Sequence, residues 1–304
     1  MLRAADSRLR PSHGSRGHLT AMVSLLRPGQ WPKNLLCLAA PGAAGILTQP
    51  HQLGRALSAA VAFTFASCAV YASNDVVDAA GDRVHPLKRS RPVASGAVSV
   101  PTALGLATAC AAAGLAVSAL LGWLTLTVVG AYLVSSGVYV LRTRRVPVLD
   151  VVTVAVGFVL RALAGAAAVH VVVSSWFLLV ALFGSLFLVC AKRRAELSAS
   201  TSGVVTARDA LGQYSLGWLD QVVTMSLGGT VLAYAMWAFQ PQPGDTLRSL
   251  LAVSVLPLLV ALLRYLLLVD RGHGERPERS VADPTILGCA VVWCALLTGG
   301  LYLA

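Results

Sequence analysis

The stretch Asn74-Asp75-Val76-Val77-Asp78-Ala79-Ala80-Gly81-Asp82 gathers three of the chain's 13 acidic residues into little more than two helical turns. If it continues the apolar run before it as a helix, Asp75, Asp78 and Asp82 fall at i, i+3 and i+7 and share one face. Like charges at that spacing repel unless a cation lies between them. A hard divalent ion suits such a face. Mg²⁺ is the simplest occupant, because it takes a few carboxylates and completes its octahedron with water and phosphate oxygens. The competing reading is a solvated polar helix end.

The residues that follow are basic: Asp82-Arg83-Val84-His85-Pro86-Leu87-Lys88-Arg89-Ser90-Arg91-Pro92. Lys88, Arg89 and Arg91 beside a carboxylate cluster suit a metal–phosphate site, in which the acids hold the ion and the cations take phosphate oxygens directly. Loop charges that merely set membrane topology would explain these cations but not the acids next to them. Tyr71 lies three residues before Asn74 and seven before Asp78, so its hydroxyl shares their face; a tyrosine of the membrane interface is the alternative. Lys33, within Arg27-Pro28-Gly29-Gln30-Trp31-Pro32-Lys33-Asn34, either snorkels to the headgroups or points into a site. Arg161 lies midway along an apolar segment, where a charge costs at least about 2.5 kcal/mol. It must face a polar cavity, with a carboxylate of the acidic motif or a ligand phosphate as its expected partner. Lys192 and Glu196 share a helix face at i, i+4, as a site or as a salt-bridged helix end. The turn Arg142-Thr143-Arg144-Arg145 is read as a topological marker without chemistry. His85, His170 and His273 form no ligand cluster.

The elements that must position these residues are membrane helices. With 56% hydrophobic and 12% charged residues and a mean hydropathy of +0.72, the 304-residue chain is too apolar for a soluble globule. It reads as an all-α polytopic membrane protein with nine apolar segments, near 35–48, 54–73, 100–120, 122–141, 147–168, 175–191, 220–240, 248–269 and 283–303. The first is short and interrupted by Pro41 and Gly42. The runs lack the alternation of barrel strands. With a cytoplasmic N-terminus, 21 of the 24 Lys and Arg fall in inside segments, leaving Arg55 and Arg248 outside and Arg161 within a span. That asymmetry sets the orientation, and the formal charge of +11 becomes a cytoplasmic face attractive to anionic lipid and phosphorylated solutes. Nucleic acid is excluded as a partner, since the charge sits in short loops between spans.

Residues 1–21 read as a disordered basic cytosolic tail preceding one membrane domain, 22–304; no cleavable leader is expected, because the Arg27–Asn34 stretch precedes any apolar core. Cys37, Cys68, Cys110, Cys190, Cys289 and Cys294 all lie in apolar segments without paired spacing and read as small hydrophobes. The polar 198–219 loop is a candidate cap over the site.

Together these motifs resemble the UbiA superfamily of intramembrane prenyltransferases, with its nine-helix bundle and an Asn-Asp-x-x-Asp-x-x-x-Asp motif after the second helix, here Asn74 to Asp82. Within it the chain is similar to the decaprenyl-phosphate phosphoribosyltransferase branch. The matching stretches are Arg27–Asn34, Asn74–Gly96, Leu160-Arg161-Ala162, Ser175-Trp176-Phe177, and Phe183-Gly184-Ser185-Leu186-Phe187 running into Lys192-Arg193-Arg194-Ala195-Glu196-Leu197. Ordinary superfamily members carry a second aspartate-rich motif after the sixth helix. Here Lys192, Arg193 and Glu196 stand there, one acid among cations.

The resemblance implies transfer of 5-phosphoribosyl from phosphoribosyl diphosphate to a polyprenyl (decaprenyl-type) phosphate, a step toward lipid-linked arabinose donors for cell-wall arabinan. It further implies a plasma-membrane location, a cytoplasmic active site and Mg²⁺ held by Asn74, Asp75, Asp78 and Asp82. Substrate would be bound by Lys33, Asn34, Tyr71, Asn74, Lys88, Arg89, Arg91, Arg161, Lys192, Arg193 and Glu196. Of these, Lys33, Tyr71, Lys88 and Arg91 would fix phosphates, and Arg161, Lys192 and Arg193 are candidates for the sugar or lipid phosphate; association into a homo-oligomer is compatible with the resemblance. Two rivals stand beside this reading. One is a UbiA-type enzyme joining a prenyl diphosphate to an aromatic or glycerol-phosphate acceptor; the other is a transporter, against which the acidic element has no second copy.

Overall fold

The computed structural model describes residues 15–86, 88–201, 211–240, 249–273 and 282–303, and among these every regular element is helical. Residues 1–14 of the expected tail, Leu87, the middle of the expected cap (202–210), Arg248 and the loop residues 274–281 lie outside the described residues. Helix α1 (Ser15–Leu25) begins inside the segment expected to be a tail. It docks by the fully buried Leu25 and by a hydrogen bond between the His18 ring Nδ1 and the Ala97 carbonyl at 3.1 Å.

The first apolar segment departs from expectation. It is a 3₁₀ coil, Pro28–Leu38, followed by the five-residue α2 (Ala39–Ala43). Pro32 and Pro41 each lack the N–H that an α-helical ladder would use, so no long helix forms here. This coil lies backbone to backbone on α6 (Leu149–Ala168): a Cβ added at Gly165 would stand 1.7 Å from the Cys37 carbonyl oxygen.

Helix α3 (Pro50–Val84) organises the rest. Its 35 residues rise about 52 Å at 1.5 Å each, against roughly 30 Å of hydrocarbon. The helix therefore outruns its own apolar stretch, and the surplus turns carry the acidic motif. It ends where Pro86 pushes His85 into extended backbone, φ −85° and ψ 128°. A buried stripe including Ala59, Ala62, Ala66 and Ala69 lets α4 (Val100–Leu121) approach closely, as small residues do in membrane bundles. At Gly114 of α4 an added Cβ would lie 2.9 Å from the Ala62 carbonyl.

Helices α5 (Trp123–Leu141), α6, α7 (Ser175–Thr201) and α8 (Leu216–Ala238) follow, with Ser215 Oγ capping α8 by accepting from Trp218 N–H at 3.1 Å. The bundle closes with α9 (Ser249–Val253), α10 (Val255–Leu268), a π turn (Val269–His273) and α11 (Pro284–Tyr302). At the end of α3 remote from the acids, Arg55 donates to the carbonyls of Ala168 at 2.5 Å and Leu121 at 2.6 Å. It thereby satisfies the open C-terminal ends of α6 and α4.

Nine spans were expected; seven helices among the described residues are long and apolar enough to cross a membrane. The shortfall has two causes. The first segment is a coil, and α8 has the expected length but carries Asp220, Gln221, Thr224, Ser226 and Thr230, which dilute its apolar character.

Candidate functional site

The helix extrapolated from the apolar run is real, and it points the three acids together. Asp75 and Asp82 are buried while Asp78 is partly exposed. Arg27 stands in a left-handed turn, φ 52°, between α1 and the 3₁₀ coil. Its guanidinium lies over the Tyr71 ring, 5.2 Å from the centroid, and donates to Asp75 Oδ1 at 2.6 Å. Arg144 donates to Asp78 Oδ1 at 2.5 Å. Arg91 stands between all three: its Nη1 lies 2.7 Å from Asp82, 3.8 Å from Asp75 and 3.9 Å from Asp78.

A cavity of about 420 Å³ opens beside them, lined by Asn74, Asp78 and Asp82 of α3, by Arg27, Lys88, Arg91, Arg144 and Arg145, and by Tyr139 and Asp150. Its size suits a small-molecule ligand. Five cations face three carboxylates on its walls, a surplus of positive charge that favours an anionic guest.

The donor set matches a hard divalent ion in kind. It is all oxygen, and the Asn74 Oδ1 is buried without a hydrogen-bond partner, an orphan that a cation would satisfy. Among the described residues no group of three ligating side chains is placed for a metal, and arginines pair with the carboxylates.

The end of α7 is built differently. Arg193 Nε donates to Asp150 Oδ2 at 3.1 Å and its Nη1 to Glu196 Oε2 at 3.1 Å, with Arg193 and Asp150 only 4% and 2% exposed. Tyr214 donates to Asp150 Oδ1 and accepts from the Val148 N–H at 2.7 Å. Val148 has a φ of 68°, a conformation that strains a β-branched residue, and the Tyr214 hydroxyl braces it. Burial, then the bond to Asp150, pushes the Tyr214 hydroxyl well above the ordinary phenol value, so it stays a donor through the neutral range. This knot fixes Asp150 at the cavity wall.

Several expected site residues lie elsewhere. Arg161 has no carboxylate partner among the described residues. It donates to Asn34 Oδ1 at 3.0 Å, Gly157 O at 2.7 Å, Tyr132 Oη at 3.2 Å and Ser67 Oγ at 3.4 Å, with the rings of Phe63, Tyr132 and Phe158 at 4.9–5.2 Å. Five fixed N–H donors can be met by neutral acceptors, and aromatic faces carry the charge, so a carboxylate is not required. Asn34 is buried in the same cluster and donates to Thr64 Oγ1 at 3.0 Å. Lys33 bonds Gln30, Tyr71 lies beneath Arg27, and Arg89 is exposed; none of these, nor Lys192, lines the cavity.

Sequence reasoning does not reach Arg144, whose turn it reads as topological, nor Arg27, Arg145, Asp150 and Tyr214. The basic turn was visible, but only the crossing of α5 and α6 beside α3 brings it to Asp78. Asp150 follows Pro147 at the head of an apolar run, and its pairing across 43 residues with Arg193 leaves no local signal.

The profile of the UbiA prenyltransferase family matches residues 35–301. The chain is 37% identical over 289 residues to the decaprenyl-phosphate phosphoribosyltransferase of Corynebacterium glutamicum, covering 93% of this chain and 87% of that protein. It is 35% identical to the Mycolicibacterium smegmatis protein of the same name, covering 93% of each. Among solved structures, a UbiA homologue from Archaeoglobus fulgidus bound to GPP and Mg²⁺ superposes with a TM-score of 0.66 at 18% identity, covering 92% of this chain and 98% of that one. Digeranylgeranylglyceryl phosphate synthase superposes with a TM-score of 0.64 at 14% identity, covering 93% and 99%. An acidic motif on the overlong membrane helix α3, in a chain whose residues 35–301 match the family's profile, makes the chain a member of the UbiA prenyltransferase family.

Proposed function

We propose that the protein transfers 5-phosphoribosyl from phosphoribosyl diphosphate to a polyprenyl (decaprenyl-type) phosphate and releases diphosphate. One observation carries the reading: the cavity pairs a single acidic arm with five cations, whereas the end of α7 offers no second set of free carboxylates. One metal-binding arm beside a basic wall suits one metal diphosphate plus further free phosphates, which an aromatic acceptor would not bring. The names of the relatives in Corynebacterium and Mycolicibacterium agree with it.

Asn74, Asp75, Asp78 and Asp82 would hold Mg²⁺, which when bound neutralises charge on the departing diphosphate. Lys88, Arg91, Arg27, Arg144 and Arg145 would take phosphate oxygens. Their task is to hold two anions that repel in water within reach of each other. Bond breaking at ribose C1 develops oxocarbenium character, as in glycosyl transfer generally. The lipid phosphate oxygen that attacks is already anionic, so no general base is needed, and none of the wall residues named here is a histidine. Arg193, Glu196, Arg161 and Asn34 support this reading from behind the wall, by fixing Asp150 and the helix crossings.

The asymmetry of Lys and Arg favours a cytoplasmic N-terminus and a cytoplasmic site, and the family reading adds the plasma membrane. Nine crossings also remain the better count for this chain. Eleven 3₁₀ residues and five α-helical ones advance about 30 Å, the thickness of the hydrocarbon.

Purified protein incubated with labelled phosphoribosyl diphosphate and polyprenyl phosphate should form a lipid-linked phosphoribosyl product that EDTA abolishes. Product formed instead from a prenyl diphosphate and an aromatic acid would overturn the assignment, and solute flux into proteoliposomes without covalent product would point to transport.

A further inference from the structure

Arg91 occupies an unusual position. One guanidinium nitrogen lies within 3.9 Å of an oxygen on each of Asp75, Asp78 and Asp82, while Arg27 and Arg144 each hold one of these acids from the side. A divalent ion serving the same three carboxylates would need the volume that this nitrogen fills. Three acids and three arginines balance to zero. A bare divalent ion added to that group would strand guanidinium charge beside it, at a cost set by like-charge repulsion at close range. An ion arriving with a diphosphate brings its own anion, onto which the displaced arginines can turn, and guanidinium–phosphate pairs are strong and often bidentate.

The backbone around Arg91 suits such an exchange. The loop from residue 88 to 99 is pinned by Val93 and Val98, which are 2% and 1% exposed, and by hydrogen bonds from Arg91 N–H to Lys88 O at 2.9 Å and from Ser95 N–H to Arg91 O at 2.8 Å. The Arg91 side chain is 28% exposed and borders the cavity. Its guanidinium can therefore leave the carboxylates by side-chain rotation while the main chain stays in place.

Resting on the reading that this site takes a metal diphosphate, we propose that Arg91 holds the cation's place in the unloaded protein, so that metal and diphosphate enter as one unit and each binds weakly without the other. By reciprocity, the factor by which diphosphate tightens the metal is the factor by which metal tightens diphosphate. The test removes the placeholder and reads binding, not turnover. Mn²⁺ is titrated into detergent-purified protein without diphosphate, followed by the spectrum of free Mn²⁺, and magnesium pyrophosphate is titrated calorimetrically at saturating Mg²⁺.

Arg91→Met is expected to bind Mn²⁺ about tenfold more tightly than wild type, within the usual range of such couplings, and to bind magnesium pyrophosphate more weakly by a similar factor. Adding Asp78→Asn should erase the gain in Mn²⁺ affinity. Arg91→Gln provides a second variant that keeps a polar stem. Mn²⁺ bound no more tightly by either variant would overturn the proposal, and so would loss of the folded state in both, which would make Arg91 a structural brace. Wild-type protein that binds neither Mn²⁺ nor magnesium pyrophosphate would remove the reading of the site itself; magnesium pyrophosphate bound by wild type, with no gain of Mn²⁺ affinity in the variants, would remove only the placeholder.

Discussion

The ends of α3 and α7 both carry clustered charge beside one cavity, yet they spend it differently. At the end of α3 the cations are partly exposed: Arg27, Arg91 and Arg144 are 25–32% accessible. Although Asp75 and Asp82 are buried, Asp78 is 31% accessible, and Asp78 and Asp82 border the cavity. At the end of α7 Arg193 and Asp150 are 4% and 3% accessible in their side chains, and Tyr214 closes the remaining side. Exposed pairs contribute little to stability and exchange partners readily. Buried ones cost a great deal when halved, because the remaining charge has no water to turn to. Charge on the first arm is thus available to a ligand, whereas charge on the second is committed to holding the wall.

Substitutions should separate the two arms. The largest effect is expected for Asp78→Ala, which should abolish Mg²⁺-dependent transfer, by about 10³-fold or more on the scale of lost electrostatic stabilisation. The variant should insert and unfold thermally as wild type does, since Asp78 is the exposed member of the acidic set; activity near wild type in an assay of labelled lipid product would deny it a role with the metal. Next comes Arg193→Met, which leaves the buried Asp150 and the partly exposed Glu196 without their cation. It should cost about 3–5 kcal/mol of stability, read as a lowered unfolding midpoint in detergent; an unchanged midpoint would move this arginine into the exchangeable class. The smallest effect on stability belongs to Arg144→Gln, within about 1 kcal/mol, alongside a raised KM for the diphosphate donor. A large loss of stability there would dissolve the distinction between the arms.

The pattern of success and failure in reading the sequence follows the same divide. Asp75, Asp78 and Asp82 were legible because helical periodicity over eight residues is local, and Lys88 and Arg91 because they follow within one loop. Arg161 was correctly expected to need partners, but their type was not legible: Asn34 lies 127 positions away and Tyr132 lies 29 away on another helix. Hydropathy located the apolar runs but not the conformation of the first, where Pro32 and Pro41 convert an apolar stretch into a 3₁₀ coil and a single short turn of helix. It also carried the second run only to residue 73, whereas α3 continues to Val84, since hydropathy ends where the lipid does and a helix does not.

Composition and local spacing alone determined that this chain is a helical membrane protein, which end of which helix bears the acids, and that cations stand close by. They suffice for this because water–lipid partition and helical periodicity act over neighbouring residues. Only the packed bundle decided which cation meets which carboxylate, that Arg144 belongs to the cavity and Arg161 does not, and that Arg91 sits among three acids. Those outcomes depend on where separate helices cross and how closely glycines such as Gly114 and Gly165 let them approach, and such long-range steric matching leaves no trace in local sequence.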